Sequence, residues 1–175
     1  GLPKLNILRI LFWKLYSKRI YKVTCPTQST LEKIIESKIF AKDKICLLKD
    51  PIINIQEIKR KSNEKIDNEI TSTKYILGIG RLTKQKNFEL LLNFFSKLIK
   101  KDPTYKLYIL GDGEDKTKLT NMINKHKLNS KVLLLGHHEN VFKYLKYAEC
   151  FILSSLWEDP GFVLAEAAIM NTNII

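Results

Sequence analysis

The sequence predicts an α/β fold built around a doubly wound parallel sheet. From residue 74 onward, strand-like segments alternate with helix-like ones. The segments YILGI, KLYIL and VLLL are continuously apolar, as strands must be when helices cover both faces of a sheet. Because crossovers between such strands are right-handed, this alternation generates a parallel sheet with helices on both sides.

The first part of the chain predicts a basic amphipathic helix at residues 5–16. Its leucines and aromatic residues recur at helical spacing with basic residues between them, and no acidic residue precedes Glu32. Two interpretations stay open: the apolar face packs on a core, or it contacts an anionic membrane surface. Basic residues interrupt every long apolar stretch, so no segment is expected to span a bilayer.

Two short strands and a helix are expected next. Residues 21–25 and 45–48 have the composition of strands. Between them, Thr27 or Ser29 can cap a helix that runs to about Ser37.

A polar linker is predicted at residues 56–73, which lack aromatic side chains. It separates residues 1–55 from a second domain at residues 74–175. The chain ends on what reads as a strand just beginning, where a domain seldom stops, so we expect a fragment of a longer protein. The elements of the second domain are expected as strands at 74–79, 105–110, 131–135 and 150–153, and helices at about 87–101, 115–127, 140–148 and 161–170.

The charge balance points to an anionic partner. Thirty basic side chains stand against eighteen acidic ones, which gives a net charge of +12. Nucleic acid, an acidic membrane and a phosphorylated small molecule all fit this excess. Both halves of the chain share the charge and no RNA-binding signature is present, so nucleic acid is disfavoured.

The cysteines indicate a reducing environment. Cys25, Cys46 and Cys150 are odd in number, lie in apolar runs and have the spacing of neither a disulfide framework nor a zinc site. No secretory signal opens the chain. A cytoplasmic location is therefore expected.

Ligands of doubly wound sheets bind at the carboxyl ends of the strands, so the loops there are the candidate sites. The first loop, residues 78–87, has paired glycines that let a backbone approach a ligand, and cations gather before the next helix. This pattern suits a phosphate, although a tight turn with solvated lysines would look the same. The chain lacks the third glycine of a dinucleotide fingerprint and has no P-loop motif, so NAD and ATP are disfavoured.

The second and third loops are less informative by themselves. The GDGED turn at residues 111–115 has acids that favour the start of the following helix. The third loop brings together His137 and His138, but adjacent side chains do not converge on a metal as i,i+4 pairs do, and no cysteine is near. A metal site is therefore disfavoured.

The fourth loop, SSLWEDPGFVLAEA at residues 154–167, carries two glutamates. Glu166 has apolar neighbours in the sequence, and such surroundings disfavour a charged carboxylate that has no hydrogen-bond partner. A hydroxyl-rich ligand would supply such partners. Backbone donors near Gly161 and Phe162, where a helix begins, could meet an anion. Eight residues of continuous helix would separate Glu158 and Glu166 by roughly 12 Å, beyond the roughly 5–9.5 Å of a glycosidase acid pair, so hydrolysis is disfavoured.

These motifs together resemble a known family. Gly80-Arg81-Leu82 with Lys86 five residues after the arginine, the GDGED turn and an E-x7-E pattern from Glu158 to Glu166 occur in this order. The set is similar to the retaining glycosyltransferases of the GT-B fold, family four. The match covers residues 74–175 well. YKVTCPTQST and KICLLKDPIIN, in residues 20–55, resemble more loosely the last strands of an acceptor domain, and SLWEDPGFVLAEAA is similar to enzymes that build capsule or lipopolysaccharide.

The resemblance implies a role for each motif. Arg81 and Lys86 would clamp the diphosphate of a nucleotide-sugar donor, with Glu158 on the donor sugar as the third catalytic residue. The donor-binding residues would be Gly80, Gly111, Gly161, Phe162, Val163 and Glu166. Glu166 would accept the ribose hydroxyls. Fixed cations suit a leaving diphosphate, because they stabilise the charge that builds up in the transition state.

The same resemblance implies the substrates and partners. The donor would be a UDP- or GDP-sugar, with no cofactor and no metal, and the acceptor a glycan or a lipid-linked sugar. The location would be cytoplasmic, peripheral on the inner face of the membrane. A nucleotide-sugar epimerase of the same fold and a catalytically silent nucleotide-sugar binder are the alternatives. The family often has Gly and then Pro where this chain has Asn171-Thr172-Asn173, but asparagine also tolerates a left-handed helix end.

Overall fold

The computed structural model describes residues 7–48, 53–158 and 161–175. The chain forms two compact units, Gly1–Ile53 and Asn54–Ile175. Within the described residues, none of the helices is long and apolar enough to cross a membrane. Cys25, Cys46 and Cys150 are free thiols.

In its described residues, the first unit contains two α-helices, short 3-10 helices at Ser17–Arg19 and Lys42–Lys44, and a small parallel sheet. Its elements are α1 (Ile7–Tyr16), β1 (Val23–Cys25), α2 (Gln28–Glu36) and β2 (Ile45–Leu47), and β1 pairs with β2 in parallel. The side chain of Thr27 accepts a hydrogen bond from the backbone N–H of Thr30 at 3.1 Å, which confirms Thr27 as the cap of α2. Cys25, Ile34 and Ile45 form the core of this unit.

Helix α1 confirms the predicted helix over its described part, since residues 5 and 6 lie outside the described residues. None of its residues is buried, and Leu8 and Leu15 are three-quarters exposed. Trp13 meets Phe40 edge to face, with ring centroids 6.1 Å apart. The packing of its apolar face on a core, one of the two interpretations of the sequence, is therefore not found in the described residues.

The polar segment at residues 56–73 is not an open linker. It contains α3 (Ile55–Ser62) and α4 (Asn68–Thr71). Asn54 and Asp67 cap these helices by accepting backbone N–H bonds of 3.0 and 2.9 Å. Ile58 is buried, and Ile66 and Ile70 pack against the core of the second unit. Composition alone misleads here because one isoleucine in each short helix, Ile58 in α3 and Ile70 in α4, is enough to give that helix a packed face.

The second unit confirms the predicted alternation of strands and helices. The remaining elements are β3 (Tyr75–Ile79), α5 (Phe88–Lys101), β4 (Lys106–Leu110), α6 (Lys116–Lys125), β5 (Val132–Gly136), α7 (Phe142–Leu145), β6 (Cys150–Phe151) and α8 (Phe162–Ile169). All neighbouring strands run parallel in the order β5-β4-β3-β6. Helix α7 and strand β6 are shorter than expected.

The sheet is covered on both faces, which explains why its strands read as continuous apolar runs. Alternate residues of β3 face opposite cores: Ile76 belongs to the cluster with Leu91 and Phe95 of α5, whereas Tyr75 and Leu77 belong to the cluster on the other face. Every residue from Tyr75 to Leu77 is consequently almost inaccessible.

The end of the chain extends the sheet. Phe151 donates its backbone N–H to the carbonyl of Asn173 at 2.8 Å, and Ile174 makes a parallel bridge to Phe151. The last residues therefore begin a strand, as expected. Before it, Asn171 adopts φ +53° and closes α8, with Thr172 N–H donating to the Ala167 carbonyl at 3.1 Å. The left-handed helix end expected at Asn171 is confirmed.

Candidate functional site

The strand order reverses at β3, which has β4 on one side and β6 on the other. In open parallel sheets, ligands bind in the crevice outside the carboxyl ends of the strands at such a reversal. Two loops start there: residues 80–87 after β3, and residues 152–161 after β6. The candidate site is built where these loops meet.

Two glycines shape the floor of this site. Gly80 and Gly111 follow β3 and β4 and have φ values of +150° and +141°. A Cβ on Gly111 would lie 1.9 Å from the carbonyl oxygen of Gly80, so no side chain fits between the loops. Gly80 N–H also donates to the carbonyl of Leu110 at 3.0 Å. The glycines therefore let the two loops touch.

Gly78, the other glycine of the predicted pair, has a different role. A Cβ there would lie 2.9 Å from side-chain atoms of both Phe88 and Leu91. It is buried within β3 and lets α5 pack closely on the strand. The sequence interpretation that both glycines let a ligand approach is wrong for Gly78.

The GDGED turn is fixed to the loop after β3. Leu82 is fully buried, and its backbone N–H donates to the carbonyl of Asp112 at 3.0 Å while its carbonyl accepts from Asp115 N–H at 2.9 Å. A Cβ on Gly113 would lie 2.4 Å from the Leu82 carbonyl oxygen. This explains why a leucine follows Arg81 and why the turn carries its second glycine.

Lys86 and Glu158 form an ion pair across the two loops. Lys86 Nζ lies 2.7 Å from Glu158 Oε1, and each side chain is only about one-sixth exposed (16% and 17%). The lysine stem passes over Gly80, where a Cβ would approach Lys86 Cε to 2.9 Å. Burial raises the pKa of Glu158, but the hydrogen bond and charge of Lys86, with the nearby Ser155, outweigh it and lower the pKa below its ordinary value. Glu158 is therefore an ionised carboxylate at neutral pH.

Ser155 stands out beside this pair. Its Oγ is buried, and among the described residues no atom lies within hydrogen-bonding geometry of it. The sequence offered no signal for it beyond its place in the loop.

Two grooves adjoin the ion pair. The first, with a volume of about 480 Å³, is lined by Gly80, Arg81, Lys86, Gly111, His137 and His138 among others. The second, of about 500 Å³, is more polar and is lined by Arg81, Lys86, Trp157 and Glu158 among others. Arg81 is exposed and, like Lys86, borders both grooves. The structure thus brings together Arg81, Lys86, Glu158, Gly80 and Gly111.

The histidine loop contributes to the lining of the first groove. His138 packs against Tyr144 with ring centroids 5.0 Å apart. Tyr75, whose pKa is raised mainly by burial, donates from its hydroxyl to the Tyr144 carbonyl at 2.5 Å. Among the described residues no three His, Cys, Asp or Glu side chains are grouped to hold a metal ion. From the sequence, His137 and His138 were considered only as metal ligands. Their place in the lining of the first groove was not predicted.

Glu166 is not among the residues that line the two grooves. Glu166 is half-buried on α8, burial raises its pKa, and its carboxylate has no hydrogen-bond or ion-pair partner among the described residues. Its convergence with Arg81 and Lys86 stays a prediction.

Gly161 lies closer to the ion pair, since a Cβ on it would approach Glu158 Cβ to 3.3 Å. Phe162 is 40% exposed, and Val163 packs against the core. Asp159 and Pro160, which belong to the same motif, lie outside the described residues.

Comparison with known proteins identifies the family. The family model of group 1 glycosyl transferases matches residues 58–175. An uncharacterized glycosyltransferase of Methanocaldococcus jannaschii is 36% identical over 170 residues, which cover 95% of this chain and 42% of the relative. An N-acetylgalactosaminyltransferase of Campylobacter jejuni, which acts on a diphospho-undecaprenol substrate by its name, is 33% identical over 149 residues, 85% of this chain and 39% of the relative.

A solved structure gives the fold. Anabaena HepE in complex with UDP superposes with a TM-score of 0.69 at 14% identity, over 98% of this chain and 49% of that protein. The parallel-sheet α/β fold expected from the sequence, of the GT-B type, is confirmed. The chain spans less than half the length of the two curated relatives. With the family model matched over most of its length, the chain belongs to the group 1 glycosyl transferase family.

Proposed function

We propose that the protein is a retaining glycosyltransferase of family four that transfers a sugar from a nucleotide-diphosphate sugar to a glycan or lipid-linked acceptor. The observation that carries this proposal is the position of Arg81 and Lys86 beside Gly80 and Gly111, where the strand order reverses. The second unit is the donor-binding domain, and the first unit is the tail of an acceptor-side domain.

The chemistry assigned to these residues follows from their charge. Cleavage of the glycosidic bond leaves negative charge on the departing diphosphate, and two fixed cations stabilise that charge more in the transition state than in the ground state. Arg81 and Lys86 therefore do the work that a divalent ion does in other transferases, and the reaction needs no metal. Glu158 contacts the donor sugar, and the backbone of Gly161, Phe162 and Val163 contacts sugar and phosphate.

Glu166 is assigned to the ribose of the donor. Its half-buried carboxylate without a partner among the described residues is the kind of acceptor that two adjacent hydroxyls satisfy. Since Glu166 does not line either groove, this role requires the donor to extend from Lys86 towards α8. The UDP bound by Anabaena HepE supports a UDP-sugar as the donor, with a GDP-sugar as the second choice.

The acceptor and the cellular role are also proposed. The Campylobacter jejuni relative is named for a lipid-linked diphosphate substrate, which supports a lipid-linked acceptor and a role in cell-surface polysaccharide synthesis. We assign the protein to the cytoplasmic side of the membrane. The exposed apolar residues of α1 and the basic residues among them support contact of this helix with an anionic membrane surface.

A panel of donors tests the proposal. Calorimetric titration of the protein with UDP-, GDP-, ADP- and CMP-sugars is expected to show binding of one or two of them, and transfer to an acceptor should follow with the same donor. A nucleotide-sugar epimerase would instead convert the donor at a rate that no sugar acceptor increases. A silent binding protein would bind the donor without turnover. Absence of binding to all four donors would contradict the proposal.

A further inference from the structure

The ion pair between Lys86 and Glu158 cannot by itself hold the site together during catalysis. In the structure the two side chains neutralise each other at 2.7 Å. On the proposed function, a donor diphosphate attracts Lys86 and a donor sugar contacts Glu158. Each of the two side chains must then share its partner with the donor or give it up. The loops that carry them need a connection that does not involve either charge.

Strand pairing does not supply that connection. Strands β3 and β6 are in register at Ile76 with Cys150 and at Leu77 with Phe151, and Ile152 N–H still donates to the Leu77 carbonyl at 2.9 Å. Beyond this point, in the described residues, the ladder stops. Lys86 lies nine residues after Leu77, so the strands alone leave its loop unanchored.

Among the described residues of the two loops, three neutral hydrogen bonds join them instead. Ser154 Oγ donates to the carbonyl of Lys86 at 2.8 Å, and Ser154 is buried. Gln85 makes the other two bonds, one with its backbone and one with its side chain. Its carbonyl accepts from Leu156 N–H at 2.8 Å, and its Nε2 donates to the carbonyl of Trp157 at 2.9 Å. Each bond is made by a residue next to, or within a few positions of, one member of the ion pair.

We infer that Gln85 and Ser154 are positioning residues, which hold the backbones of Lys86 and Glu158 at a fixed separation while the donor replaces the ion pair between them. This inference rests on the proposed function of Lys86 and Glu158. Neither Gln85 nor Ser154 needs to touch the donor. Their effect is on the geometry of the two charged side chains, where a displacement of about 1 Å can cost up to about a hundredfold in rate.

Paired substitutions test the inference. Gln85→Leu and Gln85→Glu remove the amide donor to Trp157, Ser154→Ala removes the hydroxyl, and Ser154→Thr keeps it. We expect kcat of the two Gln85 variants and of Ser154→Ala to fall by about tenfold to a hundredfold, with a smaller change in the donor KM, and Ser154→Thr to keep most of the rate. The matched control is Ser96→Ala, since Ser96 Oγ donates over the same 2.8 Å to a carbonyl, that of Asn93, but within α5.

A second measurement reports on the loops without activity. Trp13 and Trp157 are the two tryptophans of this sequence, so Trp13→Phe leaves Trp157 as the sole indole of these 175 residues. Time-resolved fluorescence anisotropy of Trp157 should show larger local motion on the nanosecond scale in the Gln85 variants than in the parent. Gln85 is only half-buried, so we expect its variants to keep the fold. They test the inference even if the substitution of the buried Ser154 by alanine unfolds the protein.

The outcomes separate this inference from the proposed function. A Lys86→Ala variant with full turnover contradicts the proposed function, whatever Trp157 reports. The positioning role alone is overturned by a different result: Lys86→Ala is impaired, but the Gln85 and Ser154 variants keep the parent rate and the parent anisotropy. Loss of rate in the Gln85 variants together with increased motion of Trp157 supports it.

Discussion

Lys86 Nζ and Glu158 Oε1 lie 2.7 Å apart and join two loops that are 72 residues apart in the chain. Both side chains are largely buried, so removal of either partner leaves a poorly solvated charge and costs more than breaking an exposed pair. The two proposed catalytic side chains thus satisfy each other in the structure. On the proposed function, the diphosphate and the sugar of a donor would take the place of these interactions.

The first prediction concerns the proposed diphosphate clamp. Arg81→Ala and Lys86→Ala should each lower turnover by about tenfold to a thousandfold, the scale of losing one transition-state donor. Steady-state kinetics with the preferred donor measures the effect. Lys97→Ala, an exposed lysine on α5, is the charge-matched control and should keep the parent rate. Full activity of the Arg81→Ala, Lys86→Ala double variant would remove the clamp from the mechanism.

The second prediction concerns Glu166. We expect Glu166→Gln to raise the nucleotide dissociation constant by roughly tenfold to a hundredfold, the scale of a hydrogen bond to a charged group. Isothermal calorimetry measures it. Glu149→Gln, an exposed glutamate before β6, should bind as the parent does. Equal affinity of the Glu166→Gln variant and the parent would contradict the ribose-binding role.

The same variant should behave differently in the absence of nucleotide. Burial raises the pKa of Glu166, so the folded protein holds this proton more tightly than the unfolded chain. The ionised carboxylate therefore destabilises the fold, and stability is lost as pH rises from the ordinary carboxyl pKa through the raised one. Glu166→Gln should unfold at a temperature equal to or above that of the parent at pH 7, and any difference should vanish in acid below the ordinary pKa. A lower unfolding temperature at pH 7 would contradict this.

Features that depend on residues close together in the sequence were predicted, and features that depend on contacts between distant residues were not. Continuous apolar runs predicted the strands. The helix cap at Thr27 and the left-handed helix end at Asn171 were predictable because each depends on the conformational preference of a single residue. Contacts between distant loops were not predictable, because nothing near Gln85 or Ser154 reveals that the two residues belong to one junction. The role of Gly78 was misassigned for the same reason: a glycine that accommodates a helix has the same local pattern as one that accommodates a ligand.

The third prediction uses two glycines as a matched pair. Gly111→Ala must place a Cβ against the Gly80 carbonyl and adopt a φ of +141°, so we expect a loss of about 3 kcal/mol or more in the free energy of unfolding. Gly136 has φ +77°, and a Cβ on it would meet no atom within 4 Å, so Gly136→Ala should cost only about 1–2 kcal/mol. Denaturant unfolding measures both. Equal losses would show that contact between the loops after β3 and β4 is unimportant for stability.

The fourth prediction concerns Tyr75, a buried tyrosine at the start of β3. Tyr75→Phe deletes the hydrogen bond from its hydroxyl to the Tyr144 carbonyl, and this carbonyl keeps only a longer bond of 3.3 Å from Tyr147 N–H. We expect a loss of about 1–2 kcal/mol in unfolding free energy. Tyr147→Phe, at a position 41% exposed, should cost almost nothing. Urea unfolding of the two variants beside the parent provides the comparison, and equal stability of all three would contradict the prediction.

The fifth prediction concerns α1, whose apolar residues are exposed in the described chain. We expect the protein to sediment with anionic vesicles and to be released at about 1 M salt, where the Debye length is about 3 Å. Because each basic residue near such a surface contributes about 1 kcal/mol, reversing Lys14 and Lys18 to Glu should lower partitioning by at least about tenfold. Reversing Lys97 and Lys125 in the second unit should change it little. Equal binding to neutral vesicles, or no binding to anionic ones, would contradict the proposed contact of this helix with an anionic membrane surface.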